Sequence, residues 1–419
     1  MSAAMISGKQ LLALLVGAAF GAAGWMHGPR KHSGAGGARD GGLDERIAIL
    51  ERENASLRSL AQGGGEVVVP PQMLAQVEKD YGLSFLSSPV VHRIAGEELG
   101  YRIEAAIESE LGPQGADDRQ EAWRWLGLLR PGDKLLEQMV AVKSVGAVGW
   151  FDEVTGDAWV TDRFDIGNIP DQAAMLRLLV RILLNQNFPP PPAYPGDDTA
   201  RAREALHAGA AKGAESRFYA ASARGIGFLP MNDDGPAARL LLSLPGFVRG
   251  LVEFPAIEGK GLADTAFVKG TEAFAERMRH APQDTFAVAF PAEGARGEEI
   301  VFPEISDEIY LQESAGYHGL RLWLVEGGDA GFGAEIARQW VADRYMLFAD
   351  GEMSSGLAWD VVLRTTEAAD RFEAVCGERL AALAEQGRLL DVVRVRADRV
   401  RFLNVASAEA LSNFQEAKK

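Results

Sequence analysis

Arg177 and Arg181 stand four residues apart in the stretch DQAAMLRLLVRILLNQNF, residues 171–188. On a helix that spacing puts both guanidiniums on one face. Two guanidiniums side by side can grip a carboxylate or a phosphate through paired N–H bonds. They can equally pair with nearby acids and close the space between them. Asp171 is one such acid, and Glu204 and Glu215 are others in the next helical stretch, which also carries His207 and Ala208. Other reactive types are scarce. Cys376 is the single cysteine, so no internal disulfide and no Cys-rich zinc site can form. The six histidines are scattered from His27 to His318, which leaves little material for a multi-imidazole metal site.

The elements that must position these groups follow from periodicity. In 171–188 apolar residues cover most of the helical circumference, which predicts a largely buried helix. Pro189 to Pro192 end it. A second helix is expected over Asp198–Tyr219, with small residues (Ala205, Ala208, Gly209) that let another helix approach closely. Upstream, Val148–Phe151 and Ala158–Thr161 are rich in aromatic and branched residues. Thr155-Gly156-Asp157 between them is good turn chemistry, so the segment reads as a hairpin. Helical patterning also covers Met73–Tyr81, Glu97–Ser109, Gln120–Leu129 and Lys134–Lys143. In the last third, strands are expected at Tyr345–Ala349 and Leu357–Leu363. A hairpin follows at Val392–Ala397 and Arg399–Asn404, with helices at Ala334–Val341, Thr366–Gln386 and Ser407–Phe414. That pattern predicts an antiparallel sheet with helices on one side. Cys376 is expected as a small buried hydrophobe, and His318 at a loop or helix end.

The hairpin and two helices, in that order, resemble the core of a family of bacterial gluzincin-type zinc metallopeptidases. Active members read roughly GFYDPETGxxYV, HELxHALQDQxF and ALxEGDA. Here the three segments are Gly149–Val160 (GWFDEVTGDAWV), Arg177–Phe188 (RLLVRILLNQNF) and Ala205–Ala211 (ALHAGAA). Asp152, Thr155, Gly156, Val160, Leu179, Leu183, Gln186, Phe188, Leu206 and Gly209 match the framework. The resemblance extends more weakly to Pro282–Thr285 and Asp343–Tyr345. It implies a zincin-like helical core. In an HExxH helix two histidines bind zinc and the glutamate between them activates water. At those positions this chain has Arg177, Arg181 and Leu178, and Ala208 stands where the third ligand, a glutamate, would be. Every position that carries the family's chemistry is therefore replaced. The resemblance implies no catalytic residue, no metal and no cofactor. The four positions form a degenerate zinc site or an anion clamp, with Glu204, His207 and Glu215 around them. It also implies that Ala158, Trp159 and Val160 form an edge strand to which an extended peptide adds.

The N-terminal residues are different material. Leu11–Met26 is an uncharged apolar run whose helix would rise about 24 Å, a little short of the ~30 Å bilayer core. It is either an uncleaved anchor or a signal peptide cut near Ala23. His27–Gly42 is Gly-rich and basic. Leu43, Ile47, Leu50, Asn54, Leu57 and Ala61 follow an a/d heptad seam, which suits a short dimeric coiled coil. The 419 residues carry a net charge of −16, ill suited to nucleic-acid phosphates. The expected organisation is a leader at 1–27, a linker at 28–42, a coiled-coil stalk at 43–62, a zincin-like core at 70–225 and a C-terminal α+β region at 226–419. The fold class is α+β. The expected function is a non-catalytic metallopeptidase homologue that binds or scaffolds a protein or peptide. Its expected place is the inner membrane, held through residues 11–26, with its domain periplasmic, or secreted if the leader is cleaved. It is expected as a homodimer through 43–62. The alternatives are an enzyme with a different, non-zinc site and a purely structural envelope protein.

Overall fold

A computed structural model describes residues 65–415, apart from 113–114, 192–193, 227–235, 295, 306, 327–329, 352–353 and 384–387. The apolar run 11–26, the linker 28–42 and the heptads at 43–62 lie outside the described residues. Among the described residues no helix is long and apolar enough to cross a membrane. The architecture is mixed α+β, with one three-stranded and one five-stranded sheet.

The first layer builds around the hairpin. Helix α1 (Pro71–Tyr81) starts on a proline, whose missing N–H costs nothing at a first turn. Strand β1 (Val91–Ile94), helices α2 (Gly96–Leu111), α3 (Gly115–Trp125) and α4 (Leu135–Ser144), and strands β2 (Gly149–Phe151) and β3 (Ala158–Thr161) follow. The hairpin β2–β3 forms as expected. Asp152 accepts from the Val154 and Thr155 amides, and Gly156 takes the left-handed φ of 76° that the turn requires. The edge-strand expectation is corrected. Strand β3 is the middle strand, in the order β1-β3-β2, parallel to β1 and antiparallel to β2. Both sides of Ala158, Trp159 and Val160 are already paired, so no peptide can add there. The missed strand β1 carries no clear alternation, which is why it escaped notice. Residues 65–67 cover its far side, so β2 is the outermost strand at the other end.

Helix α5 (Ile169–Asn187) is buried on nearly every side, as its composition requires, with Leu179, Leu183 and Leu184 fully enclosed. Asp171, in the first turn of α5, pairs with neither arginine among the described residues. Its carboxylate accepts from the Asp165 amide and ties down the preceding loop. Helix α6 (Asp197–Ile226) begins with two acids at its positive end. Helix α7 (Pro236–Ser243) precedes α8 (Gly246–Val268), which lies along α6 more extensively than any other pair of described helices. The small residues of α6 are used where they were expected to be. A Cβ on Gly209 would overlap the Gly259 backbone, and one on Gly259 would overlap the Ala205 carbonyl. Helices α9 (Thr271–Arg279) and α10 (Thr285–Ala289) complete this part.

The second layer is the antiparallel sheet β4-β5-β6-β8-β7: β4 (Ile309–Glu313), β5 (Trp340–Ala349), β6 (Ser355–Leu363), β7 (Leu389–Arg396) and β8 (Arg399–Val405). Helices α11 (Gly316–Glu326), α12 (Ala330–Ala337) and α13 (Thr366–Leu383) accompany it, and α14 (Ala408–Gln415) closes the chain. Two expectations change here. The helix expected over Ala334–Val341 stops at Ala337, and Trp340 opens β5. Asp343 explains the switch: it accepts from the Trp340 and Trp359 indoles, the Ser314 hydroxyl and the Ala315 and Gly316 amides. Helices also do not sit on one side only. Leu347, Trp359 and Phe402 face α3, α11 and α13, while Met346, Phe348 and Leu403 face α14 and the segment around Phe302. With both faces covered, β6 is buried at every residue and shows no alternation. Cys376 is buried in α13 as expected, and His318 stands in the first turn of α11, at a helix end, where it is buried. Packing crosses the expected boundary at residue 225. Helix α3 joins the core of the five-stranded sheet, and α8 contributes Phe247 to that core and Phe254 to the other.

Candidate functional site

A cavity of about 360 Å³ opens where α5, α6 and α8 meet β2 and the end of α4. Arg177, Leu178 and Arg181 reach it from α5, Glu204 and Ala208 from α6. The four positions singled out by the motif framework, and Glu204, thus converge on one space although α5 and α6 are separate in sequence. His207 and Glu215 are both buried, and neither lines it. Ala158, Trp159 and Val160 are not in the lining either. Strand β2 takes that place with Gly149, Trp150 and Phe151. Leu178 packs directly on Gly149: a Cβ there would stand 2.9 Å from Leu178 Cδ1.

The two arginines have different partners. Arg181 Nη2 lies 2.8 Å from Glu153 Oε1 and 3.8 Å from Glu204 Oε1. Glu153 was missed because it sits in the hairpin turn and nothing in its neighbours marks its direction. The one available signal is its place two residues beyond β2, the strand that borders the site. His207 Nδ1 is 3.5 Å from the same Glu153 oxygen. Burial pushes the Glu153 carboxyl up, but the Arg181 guanidinium and His207 outweigh it and hold it down at about 2. Arg177 is less engaged. Its Nε lies 3.7 Å from Glu215 Oε1, while Lys212 takes the other Glu215 oxygen at 2.7 Å.

Three further lining groups escaped the sequence reading: Lys143, Lys212 and Glu253. Lys143 comes from the end of α4 and lies 5.2 Å from the Trp150 ring centre. Glu253 comes from α8, whose Pro255 and glycines hid the helix. Val142, Val252 and Pro255 add an apolar wall. A smaller space of about 60 Å³ adjoins and shares Lys143, Glu204 and Val252.

The lining offers charged groups of both signs beside apolar contact. The described residues that line it include no Cys, Ser, Thr, Tyr or His. Among the described residues no group of three or more His, Cys, Asp or Glu side chains is placed to hold a metal ion. Guanidiniums at 177 and 181 would repel a divalent cation in any case. Compared with models of protein families, with curated proteins and with solved structures, the chain matches none of them.

Proposed function

We propose that this chain is a non-catalytic relative of the zinc metallopeptidases, with a zincin-like helical core, which binds a ligand in the cavity between α5, α6, α8 and β2. The observation that carries the reading is the convergence of Arg177, Leu178, Arg181 and Ala208 on one open cavity. In the resembled family those positions would hold two histidines, a glutamate and a second glutamate around zinc. Here Arg181 is committed to Glu153, and Leu178 seals the floor against Gly149. An open cleft in which arginines stand where the resembled family has its two zinc-binding histidines, and a leucine where it has the water-activating glutamate, suits recognition rather than hydrolysis.

In this reading the domain stands outside the cytoplasm, held at the inner membrane by residues 11–26 and paired through 43–62, where its work is to bind or scaffold a protein or peptide.

Metal analysis with a peptide-hydrolysis assay on the full chain tests the core of this. No stoichiometric zinc and no cleavage is the expected result, and zinc-dependent cleavage would end it. A complementary variant tests the zincin-like geometry. Changing Arg177→His, Leu178→Glu, Arg181→His and Ala208→Glu together is expected to create a site that takes up about one zinc per chain. A folded variant that takes up none argues against that core.

A further inference from the structure

We infer that the cavity's ligand is a short, apolar peptide of two or three residues, recognised as a free zwitterion by cations and acids at separate points of the lining. The inference rests on the binding reading above and deepens it by naming the ligand class.

Lys143, Arg177, Arg181 and Lys212 line the cavity with Glu204 and Glu253. Glu153 and Glu215 stand behind Arg181 and Lys212 and bind them closely, at 2.8 and 2.7 Å. Four cations thus meet four acids, and Glu110 beside Lys143 in the adjoining space adds a fifth, so the site carries no excess of positive charge. Its contacts are uneven, however. Among the described residues Arg177 pairs only through the 3.7 Å approach of its Nε to Glu215, so its terminal nitrogens can take a carboxylate. Lys143 makes no ion pair among the described residues and acts on Glu110 and Glu153 only through its field. Of the acids, Glu253 makes no ion pair among the described residues, and Glu204 meets Arg181 only at 3.8 Å. The uncommitted groups are therefore of both signs.

A dianion such as phosphate could meet Arg177 and Lys143 but would leave Glu253 unanswered and bring two further negative charges beside Glu204. A simple carboxylic acid would leave Glu253 unanswered. A zwitterion adds no net charge and answers both, its carboxylate toward Arg177 and Lys143 and its ammonium toward Glu253. The apolar wall of Val142, Val252 and Pro255 then covers uncharged side chains. A cavity of about 360 Å³ holds a few small residues and not a folded partner.

Calorimetric titration of the full chain with three forms of one peptide tests this: Leu-Leu, N-acetyl-Leu-Leu and Leu-Leu amide. Leu-Leu is expected to bind, and each blocking group to weaken binding about tenfold or more, the worth of one charge-assisted contact. Arg177→Gln and Lys143→Gln are expected to weaken Leu-Leu and the acetylated form while leaving any residual binding of the amide unchanged. Glu253→Gln is expected to act on Leu-Leu and the amide alone. Arg371→Gln, on an exposed pair in α13, should change nothing. Far-UV circular dichroism checks that each variant is folded. Equal affinity for all three forms, or no binding of any at millimolar concentration, overturns the inference. Equal affinity still leaves the cavity a binding site. Release of free leucine would instead break the non-catalytic reading on which the inference stands.

Discussion

Arg181 reaches Glu153 at 2.8 Å and Glu204 only at 3.8 Å, a choice that the four-residue spacing of the two arginines does not reveal. Spacing along a helix says which side chains share a face. It says nothing about which acid the rest of the chain delivers to that face. Glu153 is delivered by the register of β2 on β3, so the pairing is a tertiary decision. Arg181→Leu is expected to leave Glu153 largely buried without its main counter-charge, at a cost of about 2 kcal/mol or more in denaturant unfolding. The pH dependence follows from the same pair. The folded-state carboxyl is held at about 2, below its ordinary 4.5, so its contribution is present above 4.5 and is lost as pH falls toward 2. Glu153→Gln should therefore flatten the stability profile across that window. A profile identical to the parent's would show that Glu153 is not stabilised by Arg181.

Helix α8 is the element that most changes what the site is, and it was the least legible. Pro255 lies inside it, and Gly246, Gly250, Gly259 and Gly261 interrupt its pattern. Each of these lowers local helix preference, so only packing against α6 makes the helix. Two of its glycines separate local from tertiary causes. Gly259 faces Ala205 with no space for a side chain, whereas Gly261 has nothing near its Cβ position. Gly259→Ala is expected to force α8 away from α6 and destabilise by about 1–3 kcal/mol or more. Gly261→Ala should be neutral or stabilising by about 0.5–1 kcal/mol, through helix preference alone. Thermal melts of the two variants decide this, and similar melting temperatures would refute the close-contact account. By contrast, α5, the hairpin and α13 were legible because burial, turn chemistry and periodicity agreed within each segment. The strands β1 and β4 were not, since short strands in mixed surroundings carry no strong period.

At the scale of the molecule, the two cores share elements rather than dividing near residue 225. Helix α3 puts Trp123 against Phe247 in the core of the five-stranded sheet, and Arg119 joins Asp197 of α6 to Glu313 of β4. A chain of residues 70–225 alone would lose the α8 contact at Gly209 and the sheet beneath Trp123. It is expected to show no cooperative melt and to bind hydrophobic dyes, and a sharp two-state melt would contradict this. The sequence by itself determined the α+β class, the hairpin, the buried α5, the small-residue face of α6 and the absence of histidine at the HExxH-like positions. All of these follow from residue type and local spacing. Tertiary structure alone decided that β3 is a middle strand, that α8 closes the cavity, that Glu153 claims Arg181, and that Lys143, Arg177 and Glu253 keep charge to offer. The reason is physical: a partner brought from a distant segment is chosen by packing and register, and neither is written in the spacing of one helix.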